Sequence, residues 1–352
     1  MRTRLPRLSA LLAATLLAVA CGGGADPQDG TTEQGGGSAE NPPTETGADT
    51  DADRELAVAV ASFDLAVGEN QRLLTGIYTS EQQLLGHGEV TFDLGYIGED
   101  ESAATELTES VQARFLPVPG AEPDGGSDQP TVLMGGDGAG VYEARVDLDQ
   151  PGLWGVRVTA ELADGTTRQG QATFQVQPEH AVPAVGDEAP ATRNLTLADV
   201  EAGNATPTSL DSRAGETGEV PAAVLHGTTI ADAIEQGRPV VAIFSTPVYC
   251  VSRFCGPLAE TIEDLAARYE DRADFVMVEV WEDFNAQQLN AAAAEWIQTE
   301  TGGNEPWTFL IGEDGTIAAR WDNVLDLEEL EAELEALPAI PPRAEGTPPS
   351  DG

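Results

Sequence analysis

Short strand-like runs fill residues 55–178 and limit what this part of the chain can form. The runs are rich in Val, Phe, Tyr and Thr, and turn residues separate them: ELAVAVASFDL, RLLTGIY, GEVTFDLGYI, VQARFLPV, VYEARVDL, LWGVRVTAEL and QATFQVQP. Several alternate apolar and polar residues, which places one face of each strand in a core. Seven such runs at this spacing predict an all-β sandwich with a hairpin turn at Asp164-Gly165.

From about residue 226 the pattern changes to alternating strands and helices. PVVAIFS and ADFVMVEVWE are apolar runs of strand length, typical of strands buried on both faces. PLAETIEDLAARYED, NAQQLNAAAAEWIQTETGG and LDLEELEAELEAL have helical periodicity, and a strand pair flanks Asp314-Gly315. The order β, α, β, α, β-hairpin, α predicts an α/β domain.

The N-terminal segment MRTRLPRLSALLAATLLAVACGGG has a basic start, an apolar run and small residues before Cys21. The run is too short to span a ~30 Å hydrocarbon core, so it predicts an export signal. The segment resembles the lipobox of bacterial lipoproteins, which implies that Cys21 is lipidated and anchors the chain to the outer face of the cytoplasmic membrane. Ordinary signal cleavage beside an incidental cysteine is the alternative.

Five regions follow from these patterns. Residues 1–21 are the lipoprotein signal peptide, and residues 22–54 are an acidic, Gly- and Pro-rich linker expected to be disordered. Residues 55–178 form the sandwich, residues 179–338 the α/β domain and residues 339–352 a disordered, Pro-rich tail. The stretch VYEARVDLDQPGLWGVRV resembles the last strands of small immunoglobulin-like envelope domains, which implies a spacer or docking role and a core position for Trp154.

The charge of the chain excludes one class of partner. The 352 residues carry a formal net charge of −44, and every basic residue is Arg. Such a surface repels nucleic acid, so we expect no nucleic-acid partner. No phosphate-binding loop, Ser-His-Asp set or zinc spacing is found in the sequence, and we predict no metal and no cofactor.

Two cysteines remain besides Cys21, and outside the cytoplasm they can pair only with each other within one chain. Within one helix, Cys250 and Cys255 would be separated by ~7.5 Å of rise, beyond the ~6.8 Å Cα–Cα reach of a disulfide. We therefore expect residues 251–254 to form a loop, with a helix beginning beside Cys255. Arg253 in that loop would favour a thiolate.

Three stretches resemble the thioredoxin family over about residues 180–338. VVAIF runs into the cysteine loop, CGPLAETIEDLAARY is similar to the thioredoxin helix from its second active-site cysteine onward, and Glu305-Pro306-Trp307 precedes the hairpin. The resemblance implies a thioredoxin-like domain in which Cys250 attacks a substrate disulfide and Cys255 resolves the mixed disulfide. It also implies a cis bond before Pro306 and a substrate groove lined by Trp307.

The sequence also departs from that family. The spacing is C-x₄-C, and in a second register Leu258 replaces the second cysteine. Ile243 stands where thioredoxins carry a buried acid. A structural disulfide and a metal site stay open as alternatives, although copper chaperones of this fold need a histidine after the cysteines and all three precede them: His87, His180 and His226.

We accordingly expect an extracytoplasmic thiol-disulfide oxidoreductase that acts through Cys250 and Cys255. Its expected partners are exported cysteine-containing proteins, a thiol or disulfide donor and, through the lipid anchor, the membrane. The alternative is a non-catalytic envelope scaffold with a structural disulfide.

Overall fold

The computed structural model describes residues 55–98, 107–134, 138–215, 217–250, 254–299 and 302–341. The predicted signal peptide, Cys21, the linker, Arg253 and nearly all of the tail lie outside these ranges. Within them, no helix has both the length and the apolar character needed to cross a bilayer.

The first part of the described chain is a barrel with a short accessory strand pair. Its nine strands are β1 Glu55–Val60, β2 Gly68–Tyr78, β3 Leu85–Gly86, β4 Glu89–Gly98, β5 Glu109–Pro117, β6 Thr131–Val132, β7 Gly140–Leu148, β8 Gly152–Glu161 and β9 Thr167–Val176. Seven of them close in the order β1-β2-β7-β5-β4-β8-β9, and β3 pairs with β6 beside them.

The barrel corrects the predicted sandwich and its resemblance to immunoglobulin-like domains. The first strand, β1, pairs antiparallel with β2 and parallel with β9, where Leu56 lies opposite Gly170. This last pairing joins the two ends of the sheet and removes its open edges. A sandwich and a barrel need the same alternation of apolar and polar residues, so the sequence pattern does not distinguish them.

The inward residues of the barrel form one apolar core. Trp154 is buried as expected, with its indole Nε1 donating to the Gln150 carbonyl at 3.0 Å and its ring edge-on to Tyr96 at 5.7 Å. The Asp164-Gly165 turn joins β8 and β9, and Gly165 has φ of +84°. A positive φ explains why glycine stands at this turn.

The second part is built on a four-stranded mixed sheet with two short strand pairs beside it. The eight strands of this part are β10 Val240–Ser245, β11 Asp274–Glu279, β12 Trp281–Asp283, β13 Gln288–Leu289, β14 Gln298–Thr299, β15 Gly302–Gly303, β16 Trp307–Ile311 and β17 Ile317–Asp322. The main sheet has the order β11-β10-β16-β17. In it β10 runs parallel to β11 and antiparallel to β16, which forms a hairpin with β17.

Six helices lie in the described residues of the second part: α1 Leu197–Glu201, α2 Pro207–Leu210, α3 Ile230–Glu235, α4 Cys255–Arg268, α5 Ala291–Ile297 and α6 Leu327–Ala336. Two 3₁₀ turns, Ser212–Gly215 and Ala223–His226, precede α3. Every residue of β10 is buried because both faces of the sheet are covered. α4 and α6 pack on the face that carries Ile243, and α5 packs on the face that carries Phe244.

The expected fold class, a sandwich followed by an α/β thioredoxin-like domain, is wrong. The described residues are predominantly strand, with a closed barrel and helices of which four have fewer than eight residues. The stretch predicted as one helix from Asn285 onward shows the reason. Asn290 caps α5 through Ala292, and the chain is already extended at Gln298, so only Ala291–Ile297 is helical. Periodicity identifies a possible helix but not where competing strand pairs end it.

A buried arginine joins the barrel to the sheet. The Arg72 guanidinium donates to Glu143 at 2.6 Å, to both a carboxylate oxygen and the carbonyl of Asp322, and to the Val324 carbonyl at 2.6 Å. Arg72, Glu143 and Asp322 are all buried. A buried ion pair holds its partners strongly in place, because losing one partner leaves an uncompensated charge.

The barrel also contacts the start of α4. Phe254 packs against a small apolar cluster that contains Val118 and Ala121 of the barrel turn after β5. A Cβ on Gly120 would lie 3.3 Å from the Pro257 Cβ. The turn therefore approaches the amino end of α4 as closely as a residue without a side chain permits.

Candidate functional site

Cys250 and Cys255 form a disulfide, as predicted, and their Cα atoms are 6.0 Å apart. Cys250 lies five residues beyond β10, and Cys255 is the first residue of α4. Cys255 is fully buried, whereas Cys250 is partly exposed. The two bonded residues therefore differ in exposure to solvent.

Three hydrogen bonds hold the turn that carries Cys250 and the end of the strand before it. The Cys250 backbone N–H donates to the Thr246 carbonyl at 3.1 Å, and the Val248 N–H donates to the Ser212 hydroxyl at 3.1 Å. The Ser245 hydroxyl donates to the Cys255 carbonyl at 3.5 Å. The bond from Ser245 ties the end of β10 to the first residue of α4, and the other two hold the turn that carries Cys250.

The amino end of α4 favours a thiolate on the reduced pair. Helix α4 has 14 residues, its first turn contains no acidic residue, and the N-cap Phe254 supplies no side-chain acceptor. The first N–H groups of a helix are unpaired and carry a partial positive charge, which lowers the pKa of a nearby cysteine. The helix begins at Cys255, where we expected it to begin.

A buried acid lies one strand away from this turn. Glu279 ends β11 opposite Ser245, and its carboxylate accepts from the Ser212 N–H at 2.9 Å and from the Trp281 N–H at 3.3 Å. Burial raises the pKa of Glu279 to about 7, and the Thr246 and Ser212 groups only partly oppose this rise. The sequence analysis missed Glu279, although a single acid within the apolar run ADFVMVEVWE is a visible signal.

A second buried carboxyl group, next to Ser212, has its negative charge balanced by neighbouring side chains. Asp211 is fully buried; the Arg213 guanidinium donates to it at 2.7 Å, and the His226 Nε2 lies 3.6 Å away. Burial would raise the pKa of Asp211, but the nearby His226 ring and the Arg213 guanidinium lower it overall. Asp211 thus stays ionised beside a cation, whereas Glu279 forms no ion pair among the described residues.

The segment before β16 meets the same edge of the sheet as the cysteine turn. The Glu305–Pro306 bond is cis, as expected, and β16 pairs with β10 so that Trp307 lies opposite Phe244. Pro306 therefore stands near the end of β10 from which the chain continues to Cys250. Burial raises the pKa of Glu305 above its usual value.

Trp307, predicted to line a substrate groove, lies on the sheet face opposite α4. It is buried, stacks on Phe309 at 5.5 Å and belongs to the apolar cluster that contains Phe244. It lines a cavity of about 300 Å³ together with Phe63 and residues 177–179, 181 and 182. The Trp307 ring therefore does not lie on the face on which the disulfide helix packs.

An aromatic surface that the sequence analysis did not predict adjoins Cys250. Tyr249 stacks on Phe284 with ring centres 4.1 Å apart and planes at 2°, and Trp281 meets Phe284 edge-on at 5.5 Å. Val248 is 56% exposed. Phe284 lies in the acidic run EDFN, and only the β12–β13 hairpin brings it to Tyr249.

No protein-family model matches the chain, and comparison with characterised proteins finds no match. Among solved structures, the chain is similar to MtrC from Shewanella baltica OS185, with 10% identity, 38% of this chain and 24% of that chain covered, and a TM-score of 0.21. It is similar to the PKD domain of the human VPS10 domain-containing receptor SorCS2, with 15% identity, 47% and 98% coverage and a TM-score of 0.16. For BslA, a bacterial hydrophobin, the values are 12% identity, 35% and 96% coverage and a TM-score of 0.17.

The chain spans about a quarter of the MtrC chain, and likenesses at these TM-scores carry no argument about function. The expected membership of the thioredoxin-like lipoproteins is wrong: no family model supports it, and the described chain is mostly β with a closed barrel. The chemistry of the cysteine pair must be argued from its own geometry.

Proposed function

We propose that the protein is a thiol-disulfide oxidoreductase that acts through Cys250 and Cys255. The observation that carries this proposal is the unequal exposure of two bonded cysteines at the amino end of α4, with Cys250 partly exposed and Cys255 buried. An exposed sulfur beside a helix amino end is suited to attack, and a buried partner is suited to resolve the product.

The reaction proceeds in two exchanges. The Cys250 thiolate attacks one sulfur of a substrate disulfide, a mixed disulfide forms, and the other substrate sulfur leaves as a thiolate that takes up a proton. Cys255 then loses its proton and attacks the Cys250 sulfur, which releases the second substrate thiol. Two electrons pass from the cysteine pair to the substrate, and an external dithiol donor restores the pair. The same steps in reverse oxidise a substrate dithiol.

Glu279 is suited to hold the proton that Cys255 gives up. It lies opposite Ser245, whose hydroxyl bonds the Cys255 carbonyl, and its raised pKa lets it exist in both protonation states near neutral pH. A general base works best when its pKa lies near the operating pH. We assign Glu279 a positioning and proton-holding role, since it need not touch the substrate.

The N-terminal pattern supports a place for this chemistry in the cell envelope. An export signal followed by Cys21 would bring the chain outside the cytoplasm, where disulfides persist, and would attach it by a lipid to the outer face of the cytoplasmic membrane. Exported cysteine-containing proteins are then the proposed substrates. The net charge of −44 argues against nucleic acid as a partner.

A non-catalytic envelope scaffold is the second candidate. It is favoured by the burial of Cys255 and by the contact of Phe254 with the barrel cluster, because a disulfide in such a place can simply lock a loop. A structural disulfide resists reduction, with a potential below about −300 mV, whereas catalytic pairs lie higher. The two candidates therefore differ in a measurable quantity.

The test uses the full chain with Cys21→Ser, so that only the pair titrates. We expect equilibration with glutathione or dithiothreitol to give a potential above about −300 mV. We also expect Cys255→Ser to form a mixed disulfide with a chromogenic aromatic disulfide at least ten times faster than the matched Cys250→Ser variant. Circular dichroism of both variants controls for folding. A potential below that limit together with equal, slow labelling would favour the scaffold.

A further inference from the structure

The surface next to Cys250 combines apolar and acidic groups. Val248 is 56% exposed, and the stacked rings of Tyr249 and Phe284 are each partly exposed. Glu282 and Asp283 are exposed and immediately precede Phe284. Glu282 accepts from the Gln288 amide at 2.5 Å and Asp283 accepts from the Ala286 N–H at 3.0 Å, but neither carboxylate forms an ion pair with any residue that the structure describes. No described cation balances their negative charges, which are therefore available to a cationic partner.

This combination identifies the kind of partner that fits. Flat aromatic rings and an exposed valine gain free energy when an apolar side chain covers them. Two uncompensated carboxylates beside them favour a cation at close range and repel an anion. A second copy of this chain is a poor occupant because both molecules carry a formal charge of −44.

We propose that Val248, Tyr249 and Phe284, with Glu282 and Asp283 at their border, form a docking surface for polypeptide segments whose cysteine is flanked by an apolar residue and by lysine or arginine. The proposal rests on the proposed oxidoreductase function and names its substrate class. Docking there places the substrate sulfur beside Cys250, because Tyr249 precedes Cys250 directly and its ring forms half of the stack.

The experiment measures exchange between the reduced full chain carrying Cys21→Ser and synthetic peptides. Each peptide holds one cysteine as a mixed disulfide with 2-mercaptoethanol, next to Phe or Ala and flanked by two Lys or two Glu. At low ionic strength we expect the Phe/Lys peptide to react about tenfold faster than the Phe/Glu peptide, and the difference to shrink at 0.5 M salt. We expect Ala in place of Phe to slow the reaction about threefold.

A charge variant locates the selection on this surface. Glu282→Gln combined with Asp283→Asn is expected to reduce the Lys-to-Glu rate ratio from about tenfold to about twofold. The matched control is Asp149→Asn combined with Glu161→Gln, which removes two exposed acids of the barrel. This control makes the net charge less negative by the same amount and should keep the tenfold ratio.

An aromatic variant tests the apolar part. Phe284→Ala removes the stacking partner of Tyr249 and is expected to abolish the preference for Phe over Ala in the peptide. Tyr78→Ala, which removes a 37% exposed ring on β2, is the control and should retain that preference.

A neutral disulfide, bis(2-hydroxyethyl) disulfide, distinguishes a failure of the oxidoreductase proposal from a failure of the docking proposal. If the wild-type pair does not react even with this compound, the oxidoreductase proposal is wrong. If it reacts with the compound but shows the same rate for Lys- and Glu-flanked peptides, only the docking proposal fails. If the Lys-to-Glu rate ratio stays near tenfold in the Glu282→Gln, Asp283→Asn variant, the peptide is recognised elsewhere on the protein. That result would also overturn the docking proposal.

Discussion

Replacing Glu279 by Gln should change how the stability of the protein depends on pH. Glu279 is 1% exposed and accepts two backbone N–H bonds, and burial raises its pKa from 4.5 to about 7. Between these two values the folded protein holds a proton on Glu279 that the unfolded chain has released. The free energy of unfolding must therefore fall as pH rises from about 4.5 to about 7, and then level off.

The size of this effect follows from the gap between the two pKa values. Each pKa unit is worth about 1.4 kcal/mol, so Glu279 removes up to about 3 kcal/mol of stability over that interval. In the Glu279→Gln protein this contribution is absent. The Gln side chain has only one acceptor oxygen, so its NH₂ group faces one of the two backbone N–H donors. The cost of this unfavourable contact is the same at every pH, and it cancels when the pH dependence of the two unfolding free energies is compared.

The assay is urea unfolding followed by tryptophan fluorescence at several pH values between 4.5 and 8, with the disulfide intact. We expect the stability difference between wild type and Glu279→Gln to change by about 2–3 kcal/mol across this range, with the wild type losing more as pH rises. The exposed Glu235→Gln is the control and should run parallel to wild type. Parallel curves for Glu279→Gln would show that the carboxyl is ionised throughout and would refute the argument.

Two further predictions concern the contacts between the barrel and the sheet. Arg72→Met should lower the free energy of unfolding by about 3–5 kcal/mol in urea titrations, because it leaves the buried Asp322 carboxylate without its cation and takes from the buried Glu143 one of its two bonded arginines, the other being Arg114; the exposed Arg157→Met should change it by less than about 0.5 kcal/mol. Gly120→Ala should cost about 2 kcal/mol, roughly twice the cost of Gly165→Ala, since both glycines have positive φ but only at Gly120 would the new methyl group meet Pro257 at 3.3 Å. Equal costs for the two alanine variants would show that the turn does not press on α4.

Much of the candidate site could be predicted because it depends on local sequence. With only two cysteines left after Cys21, the pairing of Cys250 with Cys255 follows from elimination, and the start of α4 at Cys255 follows from the break between an apolar run and a helical period. The cis bond before Pro306 was also expected. Each of these features involves residues that are neighbours in the chain or have no alternative partner.

The remaining part of the site is assembled from distant segments. Glu279 reaches the cysteine turn only because β11 lies beside β10, and Phe284 reaches Tyr249 only because a hairpin folds back. The side-chain alternation along β16 turns the Trp307 ring to the face opposite α4, and its role in a substrate groove stays a prediction. Such contacts depend on the order of the strands in the sheet and on the sheet face to which each side chain points. Neither can be inferred from a local sequence pattern.

By itself, the sequence determined where apolar strands and the cysteine helix lie, and that the cysteines can bond. Tertiary structure alone decided that seven strands close into a barrel, that most helical segments are short, and that Arg72 binds the barrel to the sheet. The physical reason is that periodicity records which face of a segment is buried, whereas strand partners and helix ends depend on which distant residues satisfy the backbone hydrogen bonds.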